Sequence, residues 1–184
     1  MKRSVALAIL ACLTAIPAFA REVAGVSLPD SAMVDGKTLK LNGAGLRTKM
    51  VFKVYVAGLY LEKPSNDAAG VVSSDQVKRM QLFVLRNLSG SQVGDAIREG
   101  FEKNSKEQMG ALKARLDRLT GLIPDVTKGD QIALTYVPGR GTVVAVRGVE
   151  KGVIEGKDFA DALFAVWLGA NPVQADLKKN LLGG

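Results

Sequence analysis

Residues 41–62 read LNGAGLRTKMVFKVYVAGLYLE, and the second half of this stretch decides the fold class. From Met50 to Leu61 the chain is rich in Val, Phe, Tyr and Leu, and Lys53 is the only charge before Glu62. Branched and aromatic side chains suit a pleated, packed surface, so the run reads as a strand. Odd positions (Val51, Lys53, Tyr55, Ala57, Leu59, Leu61) and even positions (Phe52, Val54, Val56, Gly58, Tyr60) are both mostly apolar. A strand covered on both faces has this pattern, which places the run centrally in a sheet. Gly58 removes a side chain and suits a bend or the close packing of another segment across it. Gly43 and Gly45 read as a corner leading into the strand, with Arg47 at its mouth.

Upstream, Lys2 and Arg3 precede an apolar run over 5–16, and Ala18-Phe19-Ala20 forms a small-x-small cleavage site. Residues 1–20 are therefore expected to be a secretory signal peptide, and residues 21–184 a single domain. The apolar run is too short to span a bilayer, so no transmembrane segment is expected. Ile9-Leu10-Ala11-Cys12 loosely resembles a lipoprotein box, which leaves lipidation at Cys12 open against cleavage after Ala20. The expected destination is the periplasm.

Cys12 is the only cysteine and the chain has no histidine. A processed chain then has no thiolate, disulfide or imidazole. Ser-His-Asp and Cys-His catalysis and the ordinary zinc sites are excluded, and neither a metal nor a cofactor is expected. The 25 Lys and Arg exceed the 18 Asp and Glu for a formal charge of +7, which the loss of Lys2 and Arg3 lowers by two. Beyond Lys78-Arg79 and Lys178-Lys179 the cations are scattered, so the pattern is a basic surface and not a nucleic-acid stripe. A weak attraction to anionic lipid headgroups is compatible with it.

Past the leader, a short strand is expected over 22–28 and a hairpin over 31–41 around Asp35-Gly36. A short helix capped by Asn66 follows over 66–73, then a strand over 77–86. Ser89 opens a helical region to Leu122, with Val93, Ile97 and Phe101 on one stripe and Met109, Leu112, Leu116 and Leu119 on another. Strands over 130–137, 142–147 and 148–155 precede helices over 157–168 and 173–182. Blocks of strands alternating with blocks of helices argue an α+β fold. Gly43-Ala44-Gly45 has Thr48 where a dinucleotide fingerprint needs its third glycine, and a strand follows where a helix should. Pro138-Gly139-Arg140-Gly141 lacks the lysine of a phosphate loop.

Arg47 is either a surface arginine or a clamp for a carboxylate or phenolate, which a guanidinium can hold with two bonds. Tyr55 shares the parity of Arg47 if one strand runs unbroken between them, and Tyr60 replaces it if a bulge shifts the parity. Trp167, in the apolar run 162–168, reads as core.

LNGAGLR at 41–47 with KVYVAGLYLE at 53–62, RNLSG at 86–90, and Gly129-Asp130 ahead of Pro138-Gly139 and Gly141 occur in one order. FADALFAVWLG at 159–169, Asn171-Pro172, and Asp176-Leu177-Lys178-Lys179 ahead of Leu182-Gly183 complete it. Together these blocks resemble the exported bacterial branch of the chalcone isomerase fold. The resemblance implies an open-faced β-sandwich, a large antiparallel sheet under a helical layer, with a ligand cleft between them. Plant enzymes of this fold cyclise chalcones to flavanones, and related members bind fatty acids without catalysis. Arg47 matches the arginine that holds the anionic group in both.

Other positions depart from the enzyme pattern. The catalytic threonine falls at Tyr55, the active-site tyrosine at Val93, the helical asparagine near Gly100, and the Thr-Met pair at Val166 and Trp167. The segment from Arg47 to Tyr55 is also about four residues shorter than in the plant form, by strand spacing. These departures weigh against isomerase activity.

The expectation is thus a periplasmic, non-catalytic binder of a fatty acid or similar amphipathic carboxylate, with no nucleic-acid partner. Arg47 would hold the carboxylate with Tyr55 or Tyr60. Val54, Val56, Leu85, Val93, Ile97, Val166 and Trp167 would form the wall. One alternative is an intramolecular lyase in which Arg47 stabilises a phenolate and Tyr55 serves as acid. Another is a structural or partner-docking module whose cleft is filled by Trp167.

Overall fold

The structure is a computed structural model that describes residues 20–184. The expected signal peptide, apart from Ala20, and the lipidation site at Cys12 lie outside the described residues. The chain begins with a two-stranded ribbon, β1 (Ala20–Val23) and β2 (Val26–Pro29). The single strand expected over 22–28 is thus two, reversed at Ala24-Gly25, where both residues have positive φ.

Seven strands then form one antiparallel sheet in sequence order: β3 (Ser31–Val34), β4 (Lys37–Lys49), β5 (Phe52–Leu61), β6 (Lys78–Val84), β7 (Gln131–Val137), β8 (Gly141–Val146) and β9 (Val149–Ile154). The helices are α1 (Ala68–Ser73), α2 (Gly90–Asn104), α3 (Met109–Gly121), α4 (Lys157–Leu168) and α5 (Ala175–Leu181). The architecture is the expected α+β open-faced sandwich. α1 is capped at Asp67 and not Asn66, and without a side-chain bond.

Strand alternation assigns the two faces. Met80, Leu82 and Val84 of β6 and Ala57, Leu59 and Leu61 of β5 point at the helices, where they join the main core. α4 lies innermost in the helical layer and is apolar nearly all round, with Phe159, Leu163, Phe164, Val166 and Trp167 buried. α2 starts on a capping box between Ser89 and Gln92 and turns Val93, Ile97 and Phe101 inward. On the other face Leu28 of the ribbon packs with Ala44 and Val56. β5 is therefore covered on both sides, as its composition implies. A Cβ on Gly58 would come within 2.7 Å of Leu28, so the glycine serves close packing across the strand.

Gly43 and Gly45 are not a corner. Both lie inside β4, and a Cβ on Gly43 would come within 2.2 Å of the Asn180 carbonyl oxygen, one on Gly45 within 2.9 Å of Leu177. Their missing side chains let α5 rest directly on the strand. The reversal falls instead at Met50-Val51, with Met50 at φ 55.

Candidate ligand-binding site

Moving the turn to Met50-Val51 puts Arg47 within one strand and Tyr55 in the next, directly opposite each other in the β4–β5 register. They share a face because they form a cross-strand pair, not because one strand joins them. Beyond this pair the register slips: Thr48 faces Lys53, and Val54 is the extra residue of a bulge. The slip changes the parity at the hairpin end. Lys49, two residues beyond Arg47 on β4, shares its helix-facing side; the slip brings Phe52 there too and sends Lys53 to the outer side beside Ala24, Gly25 and Val26.

Arg47, Lys49, Phe52 and Tyr55 border a cleft of about 530 Å³ between the sheet and the helices. That volume lies within the roughly 300–1,000 Å³ of small-molecule pockets. Its depth is apolar: Leu82, Val84 and Ile132 from the sheet, Ile97 and Val93 from α2, and Val166 and Trp167 from α4. Its rim is charged, with Lys49, Arg86, Asp95, Glu99 and Lys103 exposed.

Arg47 is half-buried and held by neutral oxygens. Its guanidinium donates to the Thr48 carbonyl and, at 3.3 Å, to Gln174 Oε1. Gln174 Oε1 also accepts the Thr48 amide at 3.0 Å, so the residue just before α5 ties the end of β4 in place. Among the described residues, no carboxylate forms an ion pair with Arg47. Glu99, which feels its charge, is bonded to Lys103 at 2.6 Å, and that bond holds its carboxyl below the usual range.

Tyr55 is positioned from the helical layer. Trp167 Nε1–H donates to its hydroxyl oxygen at 2.9 Å. Burial raises its phenol above the ordinary value, against the opposing effects of the Trp167 bond and the nearby Arg47. The oxygen accepts from the indole, which leaves the hydroxyl hydrogen to donate into the cleft.

Of the residues singled out by sequence, Arg47, Val54, Tyr55, Val93, Ile97, Val166 and Trp167 meet in the cleft. Trp167 belongs to the main core, as its apolar run implies, and also lines the cleft. Tyr60 is elsewhere: its hydroxyl donates to the Pro29 carbonyl at 2.9 Å and its ring packs with Val34 and Leu39 on the outer face. The bulge at Val54 lies beyond Tyr55, so it never brings Tyr60 onto the cleft side. Val56 and Leu85 also face outward, toward Leu28. Lys49, Phe52, Arg86 and Gln174 were missed. The first two depend on a turn that no Gly, Pro or Asn marks, and Gln174 is 127 residues from its partner Arg47. Arg86, whose guanidinium stacks over Phe52 at 4.7 Å, was visible only as part of the block RNLSG.

A family profile described as chalcone isomerase-like matches residues 20–183. The chain belongs to the chalcone isomerase-like family. Among solved structures, the fatty-acid binding protein of Arabidopsis thaliana superposes with a TM-score of 0.68 at 18% identity, over 86% of this chain and 92% of that one. At that identity the likeness shows the shared fold. No curated protein sequence matches the chain. Among the described residues, no group of three or more His, Cys, Asp or Glu could hold a metal ion, and no helix is long and apolar enough to cross a membrane.

Proposed function

We propose that this family member is a non-catalytic binder of a fatty acid or similar amphipathic carboxylate, exported to the periplasm by its N-terminal leader. The observation that carries the reading is Arg47: a half-buried guanidinium with no carboxylate partner among the described residues, beside a phenol with a hydrogen to donate, at an apolar cleft. A carboxylate there would accept from Arg47 and from the Tyr55 hydroxyl, and an acyl chain would lie against Leu82, Ile97 and Val166. The Arabidopsis neighbour, which is a fatty-acid binding protein, supports a ligand of this class.

The test is native mass spectrometry on the processed protein, recovered from periplasm without detergent, beside Arg47→Ala. The expected result is a stoichiometric added mass in the wild type, released by organic solvent and identified as a long-chain carboxylic acid, with bare protein in the variant. Bare wild-type protein that also fails to take up added fatty acid would overturn the reading.

A further inference from the structure

The tip of the β4–β5 hairpin serves neither the core nor the turn. Met50, Val51 and Phe52 are consecutive and 90%, 87% and 54% exposed, whereas Met33 and Val149, also exposed, stand alone. A tight reversal with a residue at positive φ ordinarily takes Gly, Asn or Asp, and here it takes Met50. The apolar triplet is flanked by Lys49 and Lys53, and Arg86 lies over the Phe52 ring. The carboxylates on the nearby rim are Asp95 and Glu99 of α2, and Glu99 is already bonded to Lys103.

We infer that this tip docks the protein onto an anionic lipid bilayer, with Met50, Val51 and Phe52 inserted among the headgroups and Lys49, Lys53 and Arg86 on the lipid phosphates. An apolar wedge in a basic collar fits such a surface by charge and by polarity, and interfacial apolar faces enter to a depth of about 5–10 Å. A bilayer needs no shape match. A protein partner does, and three side chains at a hairpin tip fall far short of the ~1,200 Å² that a stable protein interface buries. Met50 and Phe52 also line the cleft, so a docked tip sets its mouth against a source of acyl chains. That last consequence rests on the fatty-acid reading; docking itself does not.

Sedimentation with phosphatidylglycerol-containing vesicles tests the inference, using protein expressed from the full sequence and recovered in processed form. The variants are Val51→Asp and Lys53→Glu, whose side chains lie outside the cleft. Binding of a fluorescent fatty acid in solution is measured on the same samples. The expected result is wild-type protein on the vesicles, partitioning weakened about tenfold or more by Val51→Asp and by about tenfold by reversing the charge at Lys53. Fatty-acid affinity in solution should be unchanged in both. Sedimentation should weaken as salt rises and nearly vanish on phosphatidylcholine alone. Wild-type protein left in the supernatant, equal sedimentation of Val51→Asp and wild type, or a Val51-dependent dimer with no vesicle binding would each overturn docking. If docking fails while fatty acid still binds in solution, the cleft reading stands. If fatty acid fails to bind while the tip still docks, only the cleft reading falls.

Discussion

Two cations withdrawn from solvent, Lys78 and Arg47, are treated in opposite ways. The Lys78 side chain is fully buried. Its ammonium donates to the carbonyls of Val71 and Ser74 at 3.1 Å and to that of Val72, closing the end of α1. Asp161 lies 3.6 Å away, and the rings of Tyr136 and Phe164 flank it at 5.4 and 5.1 Å. Three carbonyls, one carboxylate and two π faces account for the charge. Arg47 has one carbonyl, one amide oxygen and an open cleft. A cation that the fold employs is surrounded by its acceptors. One left with neutral acceptors beside a cavity suits the carboxylate proposed for it.

The contrast can be broken by exchanging readouts. Lys78→Ala should cost about 3–5 kcal/mol of stability, because it strands the three carbonyls at the end of α1 and takes from Asp161 one of its two cations, Lys157 remaining. Urea denaturation would measure that loss, and fatty-acid affinity in the protein that remains folded should be unchanged. Arg47→Ala should do the reverse: roughly a hundredfold or greater loss of affinity, about 3 kcal/mol, from a charge left unpaired in the complex. Its unfolding free energy should move by less than about 1 kcal/mol. A large stability loss in Arg47→Ala would make it a second Lys78.

The two tyrosines of β5 sharpen the same contrast at smaller scale. Tyr55→Phe orphans the Trp167 N–H and removes a donor from the cleft, so it should cost about 1–3 kcal/mol of stability and weaken fatty-acid binding by about tenfold. Tyr60→Phe loses only the bond to Pro29 and should cost about 1 kcal/mol with no change in affinity. Titration with a fluorescent fatty acid separates the two.

The last expected effect is on pH dependence. Burial lowers Lys78 from 10.5 to about 8, against the opposing charge of Asp161. Between those values the unfolded chain holds a proton that the folded chain has released, so stability should rise with pH. Burial raises Tyr55 and Tyr136, and Tyr60 to about 12, from their ordinary 10.0. Above pH 10 the unfolded chain therefore loses protons first and stability should fall. Denaturation midpoints should peak near pH 10, and Lys78→Met should remove the rise while keeping the fall.

Much of this was legible in sequence because the signals were local. The two-sided apolar pattern of β5, the Asp35-Gly36 hairpin, the stripes of α2 and α3, and the apolar run of α4 each report burial of neighbouring residues. Arg47 and Tyr55 were legible as a pair, although the cross-strand register and not parity along one strand brings them together. What was hidden depended on distant parts of the chain. Gly43 and Gly45 look like turn residues, and their real reason, α5 lying on β4, is some 130 residues away. The turn at Met50-Val51 carries no turn residue, so Lys49 and Phe52 could not be assigned a side. The bulge at Val54 then inverted the parity on which any such assignment would have relied.

The most direct test of the central claim is the affinity of wild-type protein for a long-chain fatty acid against the alcohol of equal length, repeated with Arg47→Ala. The two ligands share their apolar chain and differ in the charge that Arg47 is assigned to hold. The expected result is the acid bound about a hundredfold more tightly than the alcohol by wild type, with that preference lost in Arg47→Ala and the alcohol affinity little changed. Equal binding of acid and alcohol by the wild type, or a preference that survives in Arg47→Ala, would contradict it.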